Sequence, residues 1–194
     1  INPMCGSGTL AIEAALMGLR RAPGLCRENF AFMHLKGFRK DRWNDLVKSA
    51  WRDARSSMDA KIIATDIDPE AIIAAKKNAK AAGVDHMIVF DVCDFRKTPV
   101  PQGGPGVVFF NPEYGERLGS EAELEPVYRG IGDFLKQTCV GYRGYVFTGS
   151  LPLAKKLGLK SSRRLAFFNS NIECRLLEFE LYQGTQRAEA DEEP

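Results

Sequence analysis

The sequence predicts an α/β fold with seven strands, a mostly parallel sheet closed by a C-terminal antiparallel hairpin. Three observations carry this. Short apolar runs alternate with stretches of helical period, the pattern of a covered parallel sheet. A glycine-bearing turn sits between the end of one run and the start of a helix. Near the C-terminus, two β-prone runs flank Asn169-Ser170-Asn171, as in a hairpin.

Taken in order, Ile1-Asn2-Pro3 reads as the end of a truncated first strand, and Thr9 to Leu19 as an apolar helix. Arg20 to Lys40 is broken by Pro23, Gly24 and Gly37. Asp41 can cap a helix running to about Ser57, with Trp43, Leu46, Val47, Ala50, Trp51 and Ala54 at helical spacing and expected in the core. Lys61 to Thr65 is a strand ending at Asp66. Asp68 then caps a helix with Pro69 at its first position, and Gly83 closes it. Met87 to Phe90 and Val107 to Phe110 are buried strands. Ser120 with Glu123 makes a capping box, followed by the stripe Leu124, Val127, Tyr128, Ile131, Phe134 and Leu135, with a restart at Pro126. Tyr142 to Thr148 is a strand and Leu151 to Leu157 a short helix. Arg163 to Phe168 and Ile172 to Tyr182 form the hairpin.

With 194 residues, the chain can bury one domain core, 1–184, carrying a basic helical insertion at about 20–60. The five cysteines are scattered with no C-x-x-C pair, which argues against a disulfide framework or a zinc knuckle, and no metal is expected. No apolar run approaches the roughly 20 residues of a membrane span, and nothing resembles a signal peptide, so no membrane association and a cytoplasmic location are expected. The net charge of +2 is unevenly spread. Residues 20–59 hold ten Lys/Arg against five Asp/Glu, a basic face suited to a phosphate-rich partner or simply a solvated helix. The acidic end 185–194 has one arginine against four acids and is expected to be disordered.

Pro3-Met4-Cys5-Gly6-Ser7-Gly8-Thr9 lies between a strand end and a helix start, where glycines let backbone N–H groups approach a ligand. It is neither G-x-G-x-x-G nor a P-loop, and a lone G-x-G equally marks a tight turn. Position sharpens it. Asp66, with Ile67 beside it, ends the second strand, where a carboxylate can accept both hydroxyls of a ribose. Asp94 follows the third strand, where it can accept from an adenine amine, and Phe95 can lie against the adenine or in the core. Asn111-Pro112-Glu113-Tyr114 follows the fourth strand. The Asn111 side-chain oxygen and the Pro112 carbonyl can accept both N–H bonds of an exocyclic base amine, aiming its lone pair. Tyr114 can stack on the base, a contact worth about 1–3 kcal/mol.

Asn2 to Thr9, Asp66-Ile67-Asp68-Pro69, Asn111 to Leu118 and Ile172-Glu173-Cys174-Arg175-Leu176 together resemble the methyltransferase domain of the THUMP-containing RNA methyltransferases. Within that family the chain is most similar to the bacterial 23S rRNA guanine-N2 enzymes, often labelled N6-adenine-specific DNA methylases. The resemblance runs from Ile1 to about Gln183. It implies a Rossmann-like class I methyltransferase fold, S-adenosylmethionine converted to S-adenosylhomocysteine, ribosomal RNA as partner, and an upstream THUMP domain. Matched residue by residue, it implies a cofactor site of Asn2, Met4, Cys5, Gly6, Gly8, Thr9, Asp66, Ile67, Asp94, Phe95 and Asn111. Gly6 and Gly8 would line the methionine end, while Asn111, Pro112, Glu113 and Tyr114 would act on the target base.

Two positions depart from the family pattern. Asn2 replaces an aspartate, weakening any charge-dependent contact to the methionine ammonium, and Glu113 replaces a second proline. A Glu113 facing the base could pair with N1–H and N2–H of guanine. RNA contact would fall to Arg20, Arg21, Arg27, Lys36, Arg39, Lys40 and Arg42, while Arg117 braces its loop. Three readings compete: an adenine-N6 methyltransferase on DNA or RNA, a nicotinamide-dependent oxidoreductase, and an inactive binding module. The oxidoreductase lacks a third glycine, and calorimetry with S-adenosylmethionine against NAD separates it from the rest.

Overall fold

The computed structural model describes residues 1–25, 27–114 and 121–182. Among them the elements run β1 (Asn2–Pro3), α1 (Thr9–Gly18), α2 (Lys40–Asp53), β2 (Ile62–Asp66), α3 (Pro69–Ala81) and β3 (Ile88–Val92). β4 (Val107–Phe110), α4 (Glu121–Thr138), β5 (Arg143–Thr148), α5 (Leu151–Lys156), β6 (Arg163–Asn169) and β7 (Ile172–Glu180) follow.

The strands do not form one continuous seven-stranded ladder. They make a parallel three-stranded sheet, β1-β2-β3, and a mixed four-stranded sheet, β4-β5-β7-β6. The two meet at a narrow seam. The Ile1 nitrogen donates to the Val107 carbonyl at 2.7 Å, and the Phe109 N–H donates to the Ile1 carbonyl at 2.9 Å. That alternation is the parallel bonding pattern, so β1 and β4 present their carboxyl ends on one edge, at the switch point where ligands bind in such sheets. β1 is only two residues long, which is why regular pairing stops there.

Each sheet has its own core. Under β1–β3, Ala11, Ala15, Leu19, Ile72, Ala75 and Ala79 pack together, small residues that let α1 and α3 lie close. Under β4, β5 and β7, the larger Phe110, Tyr128, Phe134, Leu135, Val146 and Phe179 fill the space beneath α4. Asp68 accepts from the Glu70 N–H at 2.9 Å with Pro69 following, a cap worth about 1 kcal/mol. Gly83, at φ +67°, lies just past the end of α3.

Four expectations are corrected. The α2 stripe does not enter the core. No residue of that helix is buried, Leu46 is 61% and Trp51 50% exposed, and only Trp43 finds aromatic neighbours, in Phe30 and Phe32 of the same insertion. The helix also starts before Asp41, at Lys40, with Asp41 in its first turn paired to Arg39 at 2.7 Å. Pro126 restarts nothing and lies inside α4. Met87 belongs to a 3-10 turn, and β3 begins at Ile88. Ser120, Arg117 and the acidic end lie outside the described residues. Arg163 and Arg164 lie on the edge strand β6, both exposed, where charge discourages further pairing.

Candidate active site

The glycine turn is built from alternating left-handed residues: Met4 at φ +57°, Gly6 at +54° and Gly8 at +83°. Asp66 anchors it. One carboxylate oxygen accepts the Gly6 N–H at 2.8 Å and the other the Asp68 N–H at 3.1 Å, while the Cys5 N–H donates to the Thr65 carbonyl at 2.9 Å. The two glycines serve different ends. A Cβ on Gly6 would meet nothing within 4 Å, so open space lies beside it. A Cβ on Gly8 would stand 2.9 Å from the Ala75 Cβ, so Gly8 allows α1 and α3 to touch. Sequence reasoning gave both glycines one role; the structure gives Gly8 a packing role.

Cys5 is buried, and that burial, reinforced by Asp66, pushes its thiol up to about 12, so it is neutral. Thr9 is exposed, with its hydroxyl 3.4 Å from that of Ser7. Ile67 projects beside Asp66, 69% exposed. Asp94 is partly occupied: it caps the following turn through the Arg96 N–H at 2.9 Å and pairs with the Arg96 guanidinium at 3.0 Å. Phe95 belongs to the core, its ring edge-on to Phe110 and Phe134, because the turn after Asp94 folds it inward.

The link from this turn to the tetrad is Asn2, only 4% exposed. Its Nδ2 donates to the Phe109 carbonyl at 3.0 Å, two residues before Asn111. Its Oδ1 is buried and has no partner among the described residues. A lone buried acceptor costs free energy unless a donor reaches it, so this atom suits a ligand that brings one.

Within the tetrad, Asn111 and Glu113 are exposed, Pro112 is buried and Tyr114 is half-buried. Tyr114 does not stand free. Its hydroxyl accepts from the Asn169 side chain at 3.1 Å and lies 3.7 Å from the Cys174 sulfur, and its ring meets Phe147 edge-on at 6.0 Å. Gly149 has no room for a Cβ, which would stand 2.6 Å from the Tyr114 ring. Burial raises the Tyr114 hydroxyl above its usual pKa, so the phenol is neutral. The tip of the β6–β7 hairpin is therefore a wall of the tetrad, to which Cys174 of the Ile172–Leu176 stretch contributes. The Glu113 carbonyl accepts from the Tyr128 hydroxyl at 3.2 Å. Asn169, Gly149 and Tyr128 were missed in the sequence. Only Tyr128 carried a signal, as one hydroxyl in an otherwise apolar stripe.

Among the described residues no group of three or more His, Cys, Asp and Glu could hold a metal, and no helix is long and apolar enough to cross a membrane. A cleft of about 520 Å³ opens at the amino ends of β4 and β5, lined by Gly106, Val107, Tyr142, Arg143 and Leu181. It lies on the edge away from the tetrad.

The RMKL-like methyltransferase domain model matches residues 1–178. The ribosomal RNA large subunit methyltransferase K/L of Chromohalobacter salexigens is 39% identical over 182 residues, covering 91% of this chain and 25% of that protein. The crystal structure described as a predicted N6-adenine-specific DNA methylase from Listeria monocytogenes superposes with a TM-score of 0.79 at 32% identity, over 93% of this chain and 46% of that one. SMU.472, solved in complex with SAH, shares the fold with a TM-score of 0.84 at 24% identity, over 95% of this chain and 48% of that one. The chain thus spans a quarter to a half of the length of these relatives. With a match over nearly all its residues, it belongs to the RMKL-like methyltransferase domain family.

Proposed function

We propose that the chain is the methyl-transferring domain of an S-adenosylmethionine-dependent RNA methyltransferase acting on an exocyclic base amine, guanine N2 of 23S ribosomal RNA. One observation carries the reading: the Asn2–Phe109 bond sets the glycine turn and the tetrad side by side at the β1–β4 switch point. The relative from C. salexigens supports ribosomal RNA as the target class. RNA binding by an upstream THUMP domain, and location in the cytoplasm, belong to the same proposal.

The residues present fit the cofactor. Open space beside Gly6 admits the methionine end, and the orphaned Oδ1 of Asn2 offers an acceptor for its ammonium. Asp66 accepts ribose hydroxyls with lone pairs left over from its two backbone bonds, flanked by the apolar Ile67. Asp94 shares its carboxylate between Arg96 and an adenine amine. When bound, S-adenosylmethionine supplies an electrophilic methyl group and departs as S-adenosylhomocysteine.

On the acceptor side, the Asn111 side-chain oxygen and the Pro112 carbonyl accept the N–H bonds of the base amine and draw its lone pair out of conjugation. Tyr114, braced by Asn169, Phe147 and Gly149, offers a ring of fixed plane for the base. Holding the amine roughly 3 Å from the methyl carbon supplies much of the rate, and the amine proton leaves to solvent after the attack, so no strong general base is required. The exposed Glu113 accepts the guanine N1–H, a donor that adenine does not carry at that position.

Adenine N6 is the second reading, favoured by the description of the L. monocytogenes relative. Nucleoside mass spectrometry of ribosomal RNA from cells lacking the full-length protein tests the choice. Loss of N2-methylguanosine supports the first reading; loss of N6-methyladenosine alone supports the second, and unchanged RNA removes both.

A further inference from the structure

A buried relay of hydrogen bonds ends on the tetrad. The Tyr128 hydroxyl is 3.2 Å from the Glu113 carbonyl, 2.7 Å from the Thr148 hydroxyl, and Thr148 Oγ1 is 3.1 Å from the Ser150 N–H. Its proton order follows from what each group can do. A carbonyl only accepts, so the single Tyr128 proton goes to Glu113. Tyr128 must then accept from Thr148, and Thr148 in turn accepts from the Ser150 N–H. Every donor therefore has one job, and the chain runs one way, from the start of α5 through the end of β5 and the middle of α4.

Tyr128 is fully buried, and Thr148 and Ser150 are 1% and 8% exposed. In such surroundings aligned hydrogen bonds polarise one another. The start of the relay is itself pinned: Ser150 Oγ accepts the Leu153 N–H at 3.3 Å and donates to Glu121 at 2.9 Å. Its end is the peptide between Glu113 and Tyr114, next to the Pro112 carbonyl expected to accept the base amine. Since Pro112 is buried and its ring locks φ, holding the peptide one residue on narrows the directions its carbonyl can take.

We infer that Tyr128 is a positioning residue of the acceptor site: through the Thr148–Ser150 relay it holds the Glu113 carbonyl, and thereby sets the angle of the Pro112 and Asn111 acceptors. This rests on the methyl-transfer reading for its kinetic consequence, but not for its structural one.

The test uses Tyr128→Phe, Thr148→Val and Thr148→Ser in the full-length protein, with two readouts. In hydrogen-exchange mass spectrometry, Tyr128→Phe and Thr148→Val raise exchange in residues 107–114 about tenfold, while β7 keeps its protection and Thr148→Ser stays as in the parent. In steady-state methylation with S-adenosylmethionine, the first two lower kcat about tenfold with KM for the cofactor unchanged, and Thr148→Ser restores kcat. Unchanged exchange overturns the relay. Raised exchange with unchanged kcat overturns the positioning role and leaves a packing contact. If the parent protein methylates no base, the methyl-transfer reading falls, and the exchange experiment alone still decides whether the relay holds the tetrad.

Discussion

Asn2 reaches across the seam to the Phe109 carbonyl, Nδ2 to oxygen at 3.0 Å, a bond that an aspartate carboxylate could not donate. This places the first departure from the family pattern at the junction of the two half-sites. Asn2→Asp should therefore trade one property for another. The apo protein loses about 1 kcal/mol, seen as a lower Tm, while S-adenosylmethionine binds more tightly in calorimetry because the ammonium gains a charged partner. A variant that is both more stable and a weaker binder contradicts this assignment.

Gly6→Ala and Gly8→Ala should fail differently. The first forces a Cβ into the left-handed region and into open ligand space, so stability falls by about 1–2 kcal/mol and cofactor affinity collapses. The second pushes α1 from α3 at Ala75, and denaturant unfolding should show the greater loss, about 1–3 kcal/mol on top of the conformational cost.

Replacing Asp66 by asparagine leaves an amide facing either the Gly6 or the Asp68 N–H. Cofactor affinity should drop by roughly 10- to 100-fold, the worth of a hydrogen bond to a charged group. Titration calorimetry on a variant with unchanged circular dichroism checks it.

In alkali the protein should weaken. Cys5, Cys139 and Tyr128 are all pushed up to about 12 by burial, so the folded chain keeps protons that the unfolded chain releases. With fewer protons bound in the unfolded state, stability falls as pH rises. The loss begins near pH 9, the ordinary thiol value, and is complete by about pH 12. Urea midpoints measured from pH 7 to pH 11 should fall steadily above 9.

Leu46→Glu in α2 should change stability by less than about 0.5 kcal/mol, because the side chain is 61% exposed. Leu135→Ala, with that side chain fully buried under β5, should cost about 2–5 kcal/mol. Urea unfolding of the two variants side by side gives the comparison.

Local chemistry was readable from the sequence where it depended on neighbours in the chain. Val107 to Phe110 has the predicted bounds, Asp68-Pro69 starts its helix, and Asn169-Ser170-Asn171 turns the hairpin, with Ser170 at φ +55°. Each of these rests on residues a few positions apart. The helical period of α2 was equally plain, but period says which residues share a face and not whether anything covers it. The site was legible only in outline. Tyr128 meets a main-chain carbonyl 15 residues away and a threonine 20 residues away, and a carbonyl leaves no mark in residue identity. Asn169 and Tyr114 are 55 positions apart and are joined because β7 pairs antiparallel with β5 on one side and with β6, which ends at Asn169, on the other.

The two cores give each half of the crevice its own footing, and the core beneath the tetrad reaches across to the other half through Phe95 and Met4. A cavity opened near Ala75 loosens the glycine turn, whereas one opened near Phe134 loosens the tetrad and also reaches Phe95, beside Asp94, and Met4 of the glycine turn. Mutations around Ala75 can therefore tune the nucleotide pocket alone, while those around Phe134 act on both pockets at once. The span between the two reacting groups is inherited from a junction two residues wide.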